Sequence, residues 1–122
     1  GFNNLARPIL YGAYHPMSVC PATDADREER DVVVGGPLCE SGDIFTQEEW
    51  GYVCTRRLPE AEVGDQLILE CAGAYGFVMA SNYNSKPLPA EVLIDPAGSP
   101  HLIRERQTFA DLIRGEHIPP GE

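Results

Sequence analysis

The sequence predicts a mainly β domain, an antiparallel sheet or small barrel with one short helix near its C-terminus. Short runs of β-branched and aromatic residues alternate along the chain with turns that contain Gly and Pro. The strand–helix alternation that a parallel sheet requires is not visible. At 122 residues, the chain has the size of one domain, 1–122.

About six to eight short strands account for these runs. The runs predicted as strands are 9–19, with Pro16 at an edge or bulge, 31–37, 50–58, 91–95 and 101–107. Residues 21–30 are predicted as a charged loop, and residues 59–66 as a turn. The run 67–83 is too long for one strand, and Gly73 and Gly76 predict a break where the backbone passes close to a neighbouring group.

The short helix is predicted from the segment that begins at Thr108. Thr108 is a typical N-cap, and Asp111 follows three residues later as an acid able to complete a capping box. Gly115 is a typical stop signal.

The formal net charge of −10 argues against nucleic acid and anionic membrane as partners, because phosphate binding needs clustered Lys and Arg. No apolar run approaches the ~18 residues of a membrane span, and no signal-peptide pattern is present. We therefore expect a cytoplasmic protein. The chain starts without an initiator Met, and we expect it to be part of a longer protein.

The four cysteines, Cys20, Cys39, Cys54 and Cys71, are widely and irregularly spaced. This spacing predicts neither a metal site nor a disulfide framework. Three of the four are predicted as small core or strand residues. Cys39 differs, because it lies beside Glu40 on the Gly- and Pro-bracketed loop GGPLCESGD.

The neighbouring Cys39 and Glu40 favour a proton donor over a nucleophile. A free thiol is mostly protonated at neutral pH, and an adjacent carboxylate disfavours the thiolate. A nucleophilic cysteine needs a cation or a paired His, and His15, His101 and His117 are distant in the sequence. Glu40 is then available to hold an ammonium group. The alternative, which spacing alone favours, is that CESGD is only a turn.

Two further motifs carry candidate binding residues. Arg7 and Tyr11 are four apart, so on a strand they share a face, where they can clamp a carboxylate or phosphate; the alternative is an edge Arg and a core Tyr. Tyr75, between Gly73 and Gly76, can present its hydroxyl or ring to a ligand close to the backbone. The alternative is a buried aromatic residue at a β-bulge.

The motifs RPILYGAYH, GPLCESGD and GAYGFVMASNYNS, the last followed by PLPAEVLI, occur in that order. Together they resemble the C-terminal domain of the diaminopimelate decarboxylase family, which are pyridoxal-phosphate decarboxylases with an alanine-racemase-like barrel. The resemblance extends from Phe2 to the segment TFADLIRGE.

The resemblance implies a role for each candidate residue. Cys39 is implied to protonate the carbanion left when CO₂ departs, and Glu40 to bind the distal amino group of meso-diaminopimelate. Arg7 and Tyr11 are implied to bind its distal carboxylate end. Tyr75 is implied to contact both the cofactor phosphate and the substrate.

The resemblance also implies what this chain lacks. The lysine that binds pyridoxal 5'-phosphate lies in an N-terminal barrel, and the Cys–Glu loop reaches into the barrel of the second subunit of a homodimer. The composition agrees, because Lys86 is the only lysine and lies between polar and Pro residues. The isolated chain is therefore expected to be inactive. The alternatives are the same domain of an ornithine-, lysine- or arginine-type decarboxylase, for which CDGLD is more usual than CESGD, and a purely structural dimerisation domain.

Overall fold

The computed structural model describes residues 1–24 and 26–121. Ala25, inside the predicted charged loop, and Glu122, at the end of the predicted domain 1–122, lie outside the described residues. The chain forms two compact units, residues 1–80 and the residues from 81 onward. The described residues contain six short strands and two short α-helices, which confirms the mainly β prediction. None of these helices is long and apolar enough to cross a membrane.

The first unit contains two small antiparallel sheets. Strand β1 (Met17–Cys20) pairs with β4 (Gln66–Leu69), and β2 (Glu29–Val32) pairs with β3 (Arg56–Pro59). β1 also contacts β3. Each sheet has two strands, and no closed barrel forms among the residues that the structure describes.

The second unit is a hairpin followed by a helical turn, as the sequence predicts. Strands β5 (Glu91–Ile94) and β6 (Pro100–Arg104) pair antiparallel, and helix α2 spans Phe109–Leu112. The predicted capping box is present, because Thr108 and Asp111 each bond the other's main chain or side chain. These bonds, led by the one from the Thr108 N–H, hold the pKa of Asp111 below its ordinary value.

Residues 7–11 form a helix, whereas the sequence analysis predicted a strand from residue 9. Helix α1 (Arg7–Tyr11) has Pro8 in its first turn, where a helix does not use the N–H, and Gly12 caps it with a left-handed φ of 60°. The Gly12 N–H donates to the Pro8 carbonyl at 2.9 Å. The strand prediction is therefore correct only from Met17. Pro8 in the first turn and Gly12 at the C-terminal end were the sequence signals for this helix.

Two other predicted strands are shorter or shifted. In the run 31–37, strand β2 ends at Val32, and Gly35 forms only an isolated bridge with Ile44. β2 is largely exposed rather than buried, because it pairs on one edge within a two-stranded sheet. The run 50–58 becomes a strand only at Arg56. Trp50 and Gly51 have left-handed φ values of 67° and 76°, and such a pair cannot continue an extended strand.

The described core is small, and part of it is polar. The buried apolar side chains are Leu5, Ala6, Pro8, Leu38, Phe45 and Leu58, and the buried polar ones are Asn3, His15, Asp43, Thr46 and Gln47. Five of these residues lie within 38–47, in and directly after the GGPLCESGD loop. Because buried polar groups require partners, hydrogen bonds as well as apolar packing specify this region.

The cysteines contribute little to this core. None of the four, all of which the structure describes, forms a disulfide; Cys20 and Cys71 are exposed, and Cys54 is half-buried. The prediction of a core or strand position is therefore correct for Cys20, which lies in β1, and wrong for Cys71, which is exposed and outside the strands. Cys20 is the last residue of β1, and a two-stranded sheet leaves such an end uncovered. Cys39 is exposed on its loop.

Candidate active site

The GGPLCESGD loop closes on itself through an antiparallel bridge between Gly35 and Ile44. Cys39 and Glu40 lie near the middle of this loop, and both are exposed. The two residues that the sequence analysis selected for chemistry are therefore adjacent and open to solvent. A proton donor that serves a bound substrate needs this accessibility.

Asp43 anchors the loop from its buried side. The carboxylate accepts the Phe2 N–H at 2.7 Å and the Leu38 N–H at 3.0 Å. Its main-chain carbonyl accepts the Gly36 N–H at 2.7 Å, and its own N–H donates to the Glu40 carbonyl at 3.1 Å. The sequence analysis quoted Asp43 within the motif without giving it a role.

The carboxylate of Glu40 has a defined orientation. Its Oε1 atom accepts the Gly42 N–H at 3.1 Å and the Ser41 hydroxyl at 3.4 Å. Both donors belong to the two residues that follow Glu40, so the bonds hold the carboxylate at the loop surface. A carboxylate in this position can bind a cationic group of a ligand.

Helix α1 presents the second pair of predicted residues. Arg7 and Tyr11 are four positions apart, which places them on one face of a helix. The predicted common face is therefore present, although the sequence analysis derived it from strand geometry. Arg7 is half-buried and Tyr11 is exposed. Their guanidinium and hydroxyl groups are donors suited to a carboxylate.

A surface cleft of about 460 Å³ opens at the C-terminal end of α1. It is lined by Ile9, Leu10, Tyr11 and Gly12 and by Glu48, Glu49, Trp50 and Gly51. A Cβ atom at Gly12 would lie 2.2 Å from the Glu49 nitrogen, so Gly is required for α1 to approach the 48–51 segment this closely.

Helix α1 and the Cys–Glu loop touch each other. A Cβ atom at Gly42 would lie 3.1 Å from Cδ1 of Ile9, so the Ile9 side chain packs against the loop backbone. This contact makes the helix with Arg7 and Tyr11 a direct neighbour of the loop with Cys39 and Glu40.

Tyr75 lies in a turn on a third segment. It is 64% exposed and has a left-handed φ of 61°, an uncommon conformation for a residue other than Gly. A Cβ atom at Gly76 would lie 2.2 Å from the Ala72 carbonyl oxygen, whereas one at Gly73 would meet nothing within 4 Å. The predicted close approach is therefore correct at Gly76 and wrong at Gly73, where the turn opens to solvent. Tyr75 is neither buried nor part of a β-bulge.

His15 connects the segment after α1 to the segment before Tyr75. It is 1% exposed, and its Nδ1 lies 3.0 Å from the Glu70 carbonyl oxygen, so Nδ1 carries the donated proton. The Glu70 N–H in turn donates to the Pro16 carbonyl at 2.8 Å. The sequence analysis considered His15 only as a partner for Cys39. It missed this contact because the bond spans 55 positions.

The residues of this chain do not fit a complete pyridoxal-phosphate site. Lys86 is exposed, and its carbonyl accepts the Asn82 side-chain amide at 2.9 Å in a short turn. Such a position lacks the desolvated pocket that activates a lysine amine. The exposed Tyr75 suits a supporting contact to a phosphate held elsewhere.

Residues 1–73 match a family model described as the C-terminal sheet domain of pyridoxal-dependent decarboxylases. The chain therefore belongs to that decarboxylase family, as a C-terminal sheet domain. Its relatives in the family include diaminopimelate decarboxylases. The enzyme of Escherichia coli K12 is 53% identical over 116 residues, which cover 93% of this chain and 27% of the relative. The enzyme of Streptomyces coelicolor is 50% identical over an alignment of 123 positions, which covers 99% of this chain and 28% of the relative.

Solved structures agree with this assignment. A crystal structure of diaminopimelate decarboxylase matches with a TM-score of 0.87 at 52% identity, covering 93% of this chain and 28% of that chain. The enzyme of M. jannaschii in complex with L-lysine matches with a TM-score of 0.80 at 39% identity, covering 98% and 25%. The resemblance found from the sequence motifs is thereby confirmed. The chain spans about a quarter of the length of these relatives.

Proposed function

We propose that this chain is the C-terminal domain of an enzyme that converts meso-2,6-diaminopimelate to L-lysine and CO₂, the last step of lysine biosynthesis. The identity of about half to the Escherichia coli and Streptomyces coelicolor enzymes supports this substrate. The structural neighbours include complexes with L-lysine, the expected product.

In this proposal, Cys39 donates its thiol proton to the carbon from which CO₂ departs. Glu40 binds the ammonium group at the other end of the substrate, while Arg7 and Tyr11 bind the carboxylate at that end. Tyr75 contacts the substrate and the phosphate of pyridoxal 5'-phosphate. The cofactor, when bound, supplies the electron sink for the loss of CO₂.

The observation that carries the proposal is the exposure of Cys39 and Glu40 side by side on an anchored loop. Asp43 bonds the loop from its buried side, so the main chain is held in place while Cys39 and Glu40 lie at the surface. In the proposed reaction, the thiol supplies the proton that replaces CO₂, and the carboxylate binds the amino group at the far end of the substrate.

The remaining parts of the site are proposed to come from outside this chain. The lone, exposed Lys86 supports a cofactor held mainly by an N-terminal barrel of the same protein. Several large apolar side chains in both units are more than half exposed, among them Leu10, Val78, Leu102, Ile103 and Phe109. Such surfaces mark contacts with other domains or subunits. We expect them to contact the barrel and the second subunit of a homodimer, and we expect the isolated chain to be inactive. The cytoplasmic location stays a prediction.

The proposal is tested in the full-length enzyme with Cys39→Ala and with Cys20→Ala as the matched control. Both cysteines are exposed and outside any disulfide, but Cys20 lies at the end of β1. Loss of a general acid should slow L-lysine formation about 10²–10⁴-fold, whereas the control should keep the parent rate. A Cys39→Ala enzyme with an unchanged rate would refute the assignment of the proton donor.

The exposed apolar side chains also favour a second candidate function, a structural dimerisation domain without chemistry of its own. That function predicts full activity for Cys39→Ala, so the same experiment separates the two. A further comparison of kcat/KM for meso-diaminopimelate with those for ornithine, lysine and arginine tests the related basic-amino-acid decarboxylases.

A further inference from the structure

Asp43, at the end of the motif, forms hydrogen bonds along much of the Cys39–Glu40 loop. Its carboxylate and main chain together bond the main-chain groups of Gly36, Leu38 and Glu40, on both sides of Cys39. Asp43 is 4% exposed, so its carboxylate bonds form away from water. Under these conditions, a lost acceptor leaves a buried N–H unsatisfied.

We propose that Asp43 is a positioning residue that sets the direction of the Cys39 thiol and the Glu40 carboxylate. This inference rests on the proposed function, in which both side chains meet the substrate. Cys39 and Glu40 are exposed, and the Glu40 carboxylate bonds the Gly42 N–H of the same loop. The placement of both side chains therefore follows the loop main chain that Asp43 holds. Proton transfer needs donor and acceptor within about 2.6–3.2 Å, and a misplacement of about 1 Å can lower a rate about 10²-fold.

The bond from Phe2 extends the effect of Asp43 to the second motif. It joins residues 41 positions apart, and Phe2 lies in the segment that leads into α1 with Arg7 and Tyr11. One oxygen of this carboxylate therefore bonds the proton-donor loop, and the other bonds the segment that leads into α1. Asp43 can thus fix the position of the loop with Cys39 and Glu40 relative to the helix with Arg7 and Tyr11.

Gly36 shows how closely the carboxylate is seated. A Cβ atom at Gly36 would lie 2.1 Å from Oδ2 of Asp43, the oxygen that accepts the Leu38 N–H. A Gly36→Ala substitution would therefore displace the carboxylate without changing its chemistry. It gives a second way to disturb the same anchor.

The inference is tested with Asp43→Asn in the full-length enzyme, alone and combined with Cys39→Ala. Asn keeps the shape of Asp but replaces one acceptor oxygen by an amide donor, which then faces the N–H of Phe2 or Leu38. We expect the single-turnover rate of L-lysine formation to fall about 10²-fold in the single variant. In the Cys39→Ala background, the same change should lower the rate at saturating substrate less than about 3-fold, because the thiol to be positioned is absent and a displaced Glu40 weakens substrate binding rather than this rate.

Asp65→Asn is the matched control. Asp65 also accepts two main-chain N–H groups, from Ala22 at 2.8 Å and Glu62 at 2.7 Å, but on a loop outside the candidate site. This variant should lower the thermal midpoint while keeping the parent rate, measured well below that midpoint. An equal rate loss in Asp65→Asn would show that loop anchoring in general, and not the position of Cys39, limits activity.

The outcomes distinguish this inference from the proposed function. If Cys39→Ala keeps the parent rate, the proton-donor assignment fails whatever Asp43 does. If Cys39→Ala is slow but Asp43→Asn is not, or if Asp43→Asn slows both backgrounds equally, only the positioning role fails. Should Asp43→Asn not fold, Gly36→Ala replaces it with the same expectations. Should neither fold, Asp43 determines the fold rather than the site, and the inference is overturned.

Discussion

A Gly12→Ala substitution probes the contact that shapes the cleft beside Tyr11. Gly12 has a left-handed φ of 60°, which costs an Ala residue about 1–2 kcal/mol. The new Cβ would also lie 2.2 Å from the Glu49 nitrogen and 2.4 Å from the Glu48 carbonyl carbon. These are backbone atoms, so α1 or the 48–51 segment must move, at a cost of about 1–3 kcal/mol. The free energy of unfolding should therefore fall by about 2–5 kcal/mol.

A Gly51→Ala variant separates the cost of the left-handed φ from the cost of the close backbone contact. Gly51 lines the same cleft and has a similar φ of 76°, but a Cβ there would meet its nearest atom, Gln47 Oε1, at an ordinary 3.9 Å. It should lose only the conformational part, about 1–2 kcal/mol. Urea unfolding of the full-length enzyme, followed by circular dichroism, measures both losses on one parent. KM for the substrate should rise more in Gly12→Ala, because the displaced helix carries Tyr11.

Two outcomes of this comparison would contradict the reasoning. If the two variants lose the same free energy to within about 0.5 kcal/mol, the close approach at Gly12 contributes nothing, and the packing argument is wrong. If Gly12→Ala loses stability but keeps the parent KM, the cleft forms as described while Tyr11 has no part in binding.

Three further predictions follow from the site and the second unit. Glu40→Gln removes the charge that we assign to the substrate's distal ammonium, and kcat/KM for meso-diaminopimelate should fall about 10–100-fold; full retained selectivity would remove that role from Glu40. For Asp111, hydrogen bonds from Thr108 keep the folded pKa below the ordinary 3.8, so its stabilisation of α2 is complete above that value and is lost as the pH falls through the folded pKa. The protection of α2 amides from hydrogen exchange should therefore exceed that of Asp111→Asn at pH 7, and the difference should vanish in strong acid; a difference that persists there would contradict the linkage. The isolated chain should self-associate at high concentration through its exposed apolar side chains, and monomeric light scattering at all concentrations would count against that expectation.

Features formed by residues that are close together in the sequence were predictable from the sequence. The Asp95 turn that joins β5 and β6 is an example, because Asp95 accepts the N–H groups of Ala97 and Ser99, both at 2.9 Å. The capping box of Thr108 and Asp111 is another. Their partners lie within four residues, so the local chain carries the information.

The sequence was enough to select the candidate site residues, but it did not give the secondary structure that carries all of them. Cys39 and Glu40 are adjacent, so their pairing and exposure on a Gly- and Pro-bracketed loop could be inferred. The secondary structure of the segment with Arg7 and Tyr11 was predicted wrongly, because its aromatic and aliphatic residues suit a strand as well as a short helix. Proline in the first turn and a left-handed Gly12 favour the helix.

Residue types and short spacings were enough to predict the mainly β class and the family to which this chain belongs, and they also predict Cys39 as the proton donor. Folding in three dimensions settled which buried polar groups hold the motif with Cys39 in place. Asp43 bonds Phe2 across 41 positions, and His15 bonds Glu70 across 55. Hydrogen bonds over such separations leave no periodic trace in one sequence, since each depends on the path of the whole intervening chain.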